Sequence, residues 1–307
     1  MSILVTGATG FVGGALTRRL AKAGRQVHVF VRESSDRRRL SDLKGVTEHC
    51  VDLRDADAVE QVVQEIRPRI IYHCGVYGGF PFQDDTAAIF ATNLTGTINL
   101  VQACRAVGFE RFVATGSSSE YGFKDRAMKE DDLPEPLGDY AVAKCAATLY
   151  CRSEALLHDL PIVILRVFSP YGPWDDPRRF IPSACRLLLA GEVLQLATPR
   201  AVRDYLHIDD LLDLYQRVTE LPIAPGEIFN AGSGRQVSVA EVAGHLQQLT
   251  GGPAPVNGSE TPRRPEPQCW VAEMEKARRL LGWSQKVDLA DGLARTVAWM
   301  REHPQFN

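Results

Sequence analysis

Residues 2–32 read "SILVTGATGFVGGALTRRLAKAGRQVHVFVR", and this stretch decides the fold class. "SILVT" is a short apolar run that ends in a glycine turn. "FVGGALTRRLAKAG" carries apolar residues at helical spacing and closes on Gly24, and "QVHVFV" returns to a strand pattern. The alternation continues outward. "GVTEHCV" precedes the helical "DADAVEQVVQEIRP", which leads into "RIIYHCG". The long helical "DDTAAIFATNLTGTINLVQACRAVG" precedes "RFVATGS", and "GDYAVAKCAATLYCRSEALLHD" precedes "PIVILRVF". Strand and helix in alternation predict an α/β fold, a doubly wound parallel sheet with helices on both faces. Such sheets take ligands outside the carboxyl ends of their strands.

After Phe168 the pattern degrades into the irregular "SPYGPWDDPRRFIP", short helices, and a Pro/Gly-rich loop, "GGPAPVNGSETPRRPEPQ". This predicts a nucleotide-binding domain over 1–168, with roughly 205–230 returning to it. A smaller C-terminal substrate lobe would comprise 169–204 and 231–307. The 307 residues, 45% hydrophobic, suffice for such a pair. A net charge of −3 points to no nucleic-acid partner. The opening residues lack the charged and apolar regions of a signal peptide, and no apolar run is long enough to span a bilayer. The seven cysteines form no CxxC pair, so reduced thiols in a cytoplasmic protein are expected. The histidines show no metal-ligand spacing, and no metal site is expected.

"GATGFVG" puts Gly7, Gly10 and Gly13 between the first strand and the first helix. Glycine permits the tight turn and the approach of a pyrophosphate, and the helix N-terminus offers free N–H groups to the anion. The competing reading is a helix start with small residues chosen for packing. At the end of the second strand an acid holds the ribose hydroxyls of NAD, whereas an arginine nearby accommodates the 2′-phosphate of NADP. Val31 stands where the acid is expected and Arg32 follows, which favours NADP; Glu33, turned inward, would restore NAD. Arg37, Arg38 and Arg39 read as a solvated helix face. Asp52 in "VDLRD" is placed either to accept from the adenine amino group or to cap a helix.

"YAVAK" sets Tyr140 and Lys144 on one helix face, one turn apart. A nearby ammonium favours the phenolate, and such a tyrosine serves as general base in alcohol oxidation. Just before it in sequence lies "TGSSSEYG", residues 115–122, a hydroxyl-rich strand end with an acid beside it. It reads either as a turn or as a catalytic lip.

Together "GATGFVG", "VDLRD", Asn93 in "TNLTGTINLVQAC", "GSSSEYG", "YAVAK", "LRVFSPYGP", "RDYLHIDDL", "FNAGSG" and "KARRLLGW" cover essentially the whole chain. The chain resembles an extended short-chain dehydrogenase/reductase of the nucleotide-sugar epimerase/dehydratase branch. The resemblance implies a Rossmann-like sheet of seven strands, a tightly bound and recycled NAD or NADP, a nucleoside-diphosphate sugar substrate, and a homodimer. It implies cofactor contacts from Gly7, Thr9, Gly10, Phe11, Val12, Gly13, Arg32, Asp52, Leu53, Cys74, Asn93, Thr115, Tyr140, Lys144 and Phe168. Ser117 and Tyr140 would meet the sugar hydroxyl, with Lys144 as ribose clamp. Tyr77, Ser118, Ser169, Arg179, Arg203 and Arg264 would complete the substrate site, the last two as diphosphate contacts. For each of those two arginines a surface salt bridge is the alternative, and for Tyr77 it is packing.

The chain departs from the family pattern at Ser169-Pro170, in the glycine-rich "HCGVYGGF", and in the serine stretch. Counted back from Tyr121, Ser117 falls on the family's Ser/Thr position, and Glu120 falls one residue late for the carboxylate that a dehydratase uses at C5. One residue along a strand reverses a side chain, though a loop relaxes that. Glu120 is therefore either the proton-shuttling base or an outward, structural acid. The first gives a redox-neutral lyase that eliminates water across C5–C6. This would be a 4,6- or 5,6-dehydratase, in one form acting on UDP-N-acetylglucosamine in antibiotic biosynthesis. The alternatives are a UDP-sugar 4-epimerase and an NADPH-dependent 4-ketoreductase.

Overall fold

A computed structural model of the chain describes residues 2–258 and 266–306. In chain order the strands and helices begin β1 (Ile3–Thr6), α1 (Phe11–Lys22), β2 (Val27–Val31), β3 (Val46–Cys50), α2 (Ala56–Ile66), β4 (Ile70–His73), α3 (Thr86–Phe90) and α4 (Gly96–Val107). Next come β5 (Arg111–Ser117), α5 (Asp139–His158), β6 (Ile162–Val167), β7 (Ser169–Tyr171), α6 (Phe180–Leu189), β8 (Gln195–Leu196), β9 (Val202–His207) and α7 (Ile208–Glu220). The remainder are β10 (Ile228–Ala231), β11 (Gln236–Ser238), α8 (Val239–Thr250), β12 (Val256–Asn257), α9 (Glu275–Leu281) and α10 (Leu289–Glu302).

Seven strands form one sheet in the order β10-β6-β5-β4-β1-β2-β3. The pairs from β3 across to β6 are parallel and keep in step, Thr6 opposite both Phe30 and His73, and Ser117 opposite Val167. This is the Rossmann-like arrangement expected from the alternation. Chain order reverses at β1, between β4 and β2, which opens a crevice at the carboxyl end of β1. The strands β1, β4 and β6 are buried along their whole length, as continuous apolar runs covered on both faces must be. Leu4, Ile71, Phe112 and Ile164 anchor this core against Val59, Leu100 and Ala155 of the helices.

The contacts divide the chain into two compact units. The first holds 1–122, 132–167 and 214–229; the second holds 123–131, 168–213 and 230–307. The segment 123–131, read from sequence as part of the nucleotide-binding domain, falls in the second unit. Its bridges Lys124–Cys269 and Met128–Ala272 account for this. The second unit also has a three-stranded sheet, β11-β9-β7, and a core of its own around Ile181, Leu188, Val242, Leu246 and Val297.

Buried Asp204 on β9 organises that unit. Its carboxylate accepts from the Ser233 N–H and hydroxyl at 2.6 Å each, and from the Gly234 and Ala272 N–H groups at 3.0 Å each. Burial raises its pKa, and the four donors oppose that rise. Asp204→Ala should cost at least about 3 kcal/mol in denaturant unfolding, because several buried donors lose their acceptor at once.

Candidate active site

The carboxyl end of β1 is shaped by glycines. Gly7 adopts φ +69°, and a Cβ there would lie 2.5 Å from the Cys74 carbonyl; one on Gly13 would collide with the Gly7 oxygen. The turn is closed by the Gly10 N–H donating to the Gly7 carbonyl at 2.9 Å. No side chain caps α1, and its first turn carries no acid. The residues present therefore fit a dinucleotide pyrophosphate: a tight cradle against an uncapped helix N-terminus. Thr9 contributes its carbonyl to Arg39 at 3.0 Å, and Phe11 and Val12 are half-buried in the first turn.

Arg39 corrects the sequence reading. Residues 34–44 form turns rather than a helix, and Arg39 is 5% exposed, packed on Gly14. Asp52 does not cap α2 either; Asp55 does. Both carboxylate oxygens of Asp52 accept from Arg54, at 3.0 and 2.7 Å, and this hydrogen bonding holds its pKa below the ordinary range.

The carboxyl end of β4 is tied to the long helical segment by a buried polar chain. Gly75 N–H donates to Thr6 Oγ1 (3.1 Å), and Thr6 Oγ1 meets His73 Nδ1 (2.7 Å). His73 Nε2 meets Thr97 Oγ1 (2.9 Å), which donates to the Asn93 carbonyl (2.6 Å). Burial, with the Lys144 charge, drives the His73 pKa down to about 3. Asn93 sits in a single π turn, Ala91–Thr95, and its amide brackets the Tyr77 backbone: Nδ2 donates to the carbonyl at 2.6 Å and Oδ1 accepts from the N–H at 3.2 Å. A π turn in an otherwise regular helix is a frequent mark of a functional position. The side chain of Leu53 is buried, and its carbonyl accepts from Asn99.

Tyr140 and Lys144 lie on one face of α5. Lys144 is buried and donates to the Thr115 carbonyl at 2.5 Å; burial lowers its pKa, and Glu120 opposes that shift. The Thr115 hydroxyl pairs with Tyr215 at 2.6 Å and donates to Cys74 Sγ at 3.4 Å. Gly78, at φ +93°, lies against Tyr140; a Cβ there would stand 3.3 Å from the ring and 2.8 Å from Ile89. Gly78 belongs to the glycine-rich departure "HCGVYGGF", and a glycine directly after an aromatic residue in a turn permits this close approach.

The serine stretch resolves differently from both readings of Glu120, as a base beside the sugar and as an outward acid. β5 stops at Ser117 and a 3₁₀ turn, Ser118–Tyr121, begins at once. Glu120 folds back as a capping box: its Oε1 accepts from the Ser117 N–H (2.7 Å) and the Thr148 hydroxyl (3.0 Å). Its Oε2 accepts from Arg166 Nε at 2.8 Å, and the Arg166 guanidinium lies 4.5 Å from the Tyr121 ring centre. Glu120 is fully buried and faces the sheet. Although its own burial works against the charge, the field of Glu120 and Tyr121 holds the Arg166 pKa above the usual value. Ser118 is also buried, whereas half-exposed Ser119 meets the Ser117 hydroxyl at 2.8 Å.

The first unit therefore gathers Ser117, Ser119, Tyr140, Lys144, Tyr77, Asn93, Cys74 and Thr115 with the glycine turn. In the second unit, Phe168 is buried and its N–H donates to Ala231. Ser169 pairs with Tyr205 in β7. Arg179 lies 3.9 Å from Asp175, and Arg203 donates to Glu266 at 2.9 Å. Arg264 lies outside the described residues. Among the described residues no cluster of His, Cys, Asp and Glu could hold a metal ion, no helix is long and apolar enough to cross a membrane, and all seven cysteines are free.

The NAD dependent epimerase/dehydratase family matches residues 3–232, and the chain belongs to it. Over 99% of this chain and all of the relative, it is 29% identical to a UDP-glucose 4-epimerase of Mycolicibacterium smegmatis. It is 27% identical to a dTDP-glucose 4,6-dehydratase of Streptomyces griseus, covering 98% of this chain and 94% of that one. A UDP-glucose 4-epimerase of Thermus thermophilus, solved in complex with NAD, superposes with a TM-score of 0.89 at 28% identity, over 98% of this chain and 99% of that one. The chain is thus an NAD(P)-dependent enzyme of nucleotide-sugar chemistry.

Two outcomes follow from the buried groups. Glu120→Gln should lower unfolding free energy by about 3–5 kcal/mol, leaving Arg166 uncompensated, and the double change Glu120→Leu/Arg166→Met should recover most of it. A loss under about 1 kcal/mol in urea would show that the pair behaves as a solvated one. His73 stays neutral in the fold, whereas its ordinary pKa is 6.5, so the unfolded chain takes up the proton first as pH falls. Stability is full above that pKa and should decline below it by about 1.4 kcal/mol per pH unit down to the folded value. His73→Asn should flatten this segment of a plot of urea midpoint against pH.

Proposed function

We propose that the chain is a nucleotide-sugar 4-epimerase that acts by oxidation and re-reduction at C4. The observation that carries this reading is the burial of Glu120 against Arg166, which leaves serine hydroxyls, and no carboxylate from this stretch, at the end of β5. Ser117 holds the C4 hydroxyl and Tyr140 takes its proton. Lys144, one turn along α5, stabilises the phenolate and clamps the ribose. The nicotinamide, when bound, supplies a reversible two-electron acceptor for the C4 hydride. Asn93 fixes the Tyr77 loop, and Gly78 lets that loop close on Tyr140, so the ring is held for proton transfer. Tyr77 and Ser169 contact the sugar, and Arg179, Arg203 and Arg264 serve the diphosphate, Arg203 by exchanging Glu266 for phosphate.

The elimination reading, in its 4,6 form or in the 5,6 form that tunicamycin assembly applies to UDP-N-acetylglucosamine, needs a carboxylate at C5. Both carboxylate oxygens of Glu120 are engaged by Ser117, Thr148 and Arg166, which favours epimerisation over loss of water. Val142, Leu149 and Leu156 stand 39%, 51% and 61% exposed at seven-residue spacing along α5, which supports a homodimer packed through that helix. The free cysteines support a cytoplasmic setting.

Incubation with UDP-glucose, UDP-N-acetylglucosamine and dTDP-glucose should convert one of them to a C4 epimer of unchanged mass. A product lighter by one water would overturn the reading in favour of a lyase. Tyr140→Phe should cut turnover by about 10²–10⁴ with an unchanged melting temperature, since the hydroxyl alone is lost.

A further inference from the structure

Behind Tyr140 stands the Lys144 ammonium, on a side chain only 5% exposed. Its hydrogen bond among the described residues is to a backbone carbonyl, that of Thr115. A lysine carries its charge on a flexible stem, so the place of that charge is set by what receives it. The position of the ammonium thus depends on what holds Thr115.

Thr115 is held from two sides. On one, the capping bond of Glu120 fixes the Ser117 N–H two residues on. On the other, the Thr115 hydroxyl enters a closed ring with Cys74, just past β4, and Tyr215 on α7. Thr115 Oγ1 donates to Cys74 Sγ (3.4 Å), and Cys74 Sγ donates to Tyr215 Oη (3.8 Å). A hydroxyl has one proton, and that of Thr115 is spent on the sulfur. The 2.6 Å contact between Thr115 and Tyr215 is therefore a bond donated by Tyr215. Each of the three groups gives one proton and takes one. The ring closes only while all three are neutral, and burial raises the pKa of both Cys74 and Tyr215. Its shortest member is the bond from Tyr215, which makes that residue the main anchor.

Tyr215 is itself fixed. It is fully buried, and its ring meets Tyr72 edge-on with centroids 6.0 Å apart. Its carbonyl accepts from Thr219, whose hydroxyl also pairs with Tyr72 at 3.0 Å. A buried phenol needs a polar partner, and this one finds it on the strand that receives Lys144.

We propose that Tyr215 is a positioning residue of the active site: by locking Thr115 it presents the carbonyl that receives Lys144, and so fixes where the charge behind Tyr140 stands. The inference rests on the reading of Tyr140 as the base with Lys144 as its cation.

The test is the titration of Tyr140 in the purified full chain with its dinucleotide bound. It is followed by carbon NMR of protein labelled at tyrosine Cζ, the Tyr140 signal being the one lost in Tyr140→Phe. Tyr215→Phe should raise its midpoint by about half a pH unit or more, since the phenolate loses part of the cation's support. Thr115→Val removes the same bond from the strand side and should do likewise, and the double change should go no further than either alone. Thr115→Ser, which keeps the hydroxyl, should return most of the shift. Tyr72→Phe loosens the same helix without touching the ring and should leave the midpoint where it is. Midpoints unmoved in both Tyr215→Phe and Thr115→Val, shifts that add in the double variant, or an equal shift in Tyr72→Phe would each overturn the proposal. If Tyr140 of the unaltered chain titrates near the ordinary phenol value of about 10, the base-and-cation reading falls, and this inference with it. The mass of the sugar product decides between epimerisation and loss of water separately, and leaves the titration result standing.

Discussion

The geometry of the site depends on one buried ion pair. Glu120 and Arg166 meet at 2.8 Å with side chains 0% and 2% exposed, a placement that is unfavourable unless every charge is answered. Here it is answered. Glu120 spends one oxygen on Arg166 and the other on the Ser117 N–H and Thr148, while Arg166 lies over Tyr121. The pair also needs Gly116 beside it. Gly116 stands opposite Arg166 in the β5–β6 register, and a Cβ on it would lie 2.8 Å from the Glu120 carboxylate. One carboxylate thus fastens the end of β5 to β6 and to α5.

That fastening positions the chemistry. Thr148 is one turn beyond Lys144, and Lys144 one turn beyond Tyr140, so the residue that grips Glu120 sets the rotation of the face carrying both. Lys144 reaches the Thr115 carbonyl on the same strand that Glu120 caps. The buried chain from Thr6 through His73 and Thr97 to Asn93 does for β1 and β4 what Glu120 does for β5 and β6. In the tautomer with hydrogen on Nε2, His73 donates to Thr97 and accepts from Thr6; a second ring proton would face a hydroxyl whose hydrogen already points at it. Neutrality of His73 is thus required by its neighbours as well as by its burial.

Much of this was legible in the sequence. The strand–glycine–helix opening and the spacing of Tyr140 and Lys144 are local, periodic signals, and the observed elements follow them closely. The direction of Glu120 was not legible. A strand steps its side chains by half a turn and a 3₁₀ turn by a third, and the change from one to the other at Ser117 depends on a capping bond that forms only once Arg166 and Thr148 arrive from distant positions. Arg39 misled for a similar reason: three adjacent arginines resemble a solvated face until Gly14 leaves room for one of them beneath the glycine turn. Asp204 carried no local signal, because its partners lie about thirty and seventy residues away.

The distribution of charge gives the site its chemical character. Around the end of β5 the first unit places hydroxyls, a phenol and one desolvated ammonium whose pKa burial has lowered. Removal and return of hydride at C4 needs one proton to leave and re-enter one hydroxyl, and a single phenol with a cation behind it suffices for that. Elimination needs more: a base for C5–H and an acid for the departing hydroxyl, two groups with opposed proton affinities. With Glu120 turned to the sheet side, this stretch offers no carboxylate for the first of these. A single carboxylate cannot both hold a buried arginine and shuttle a proton, because protonating it would leave Arg166 unpaired in the core. The constraint that assembles the site is therefore also the one that limits its chemistry.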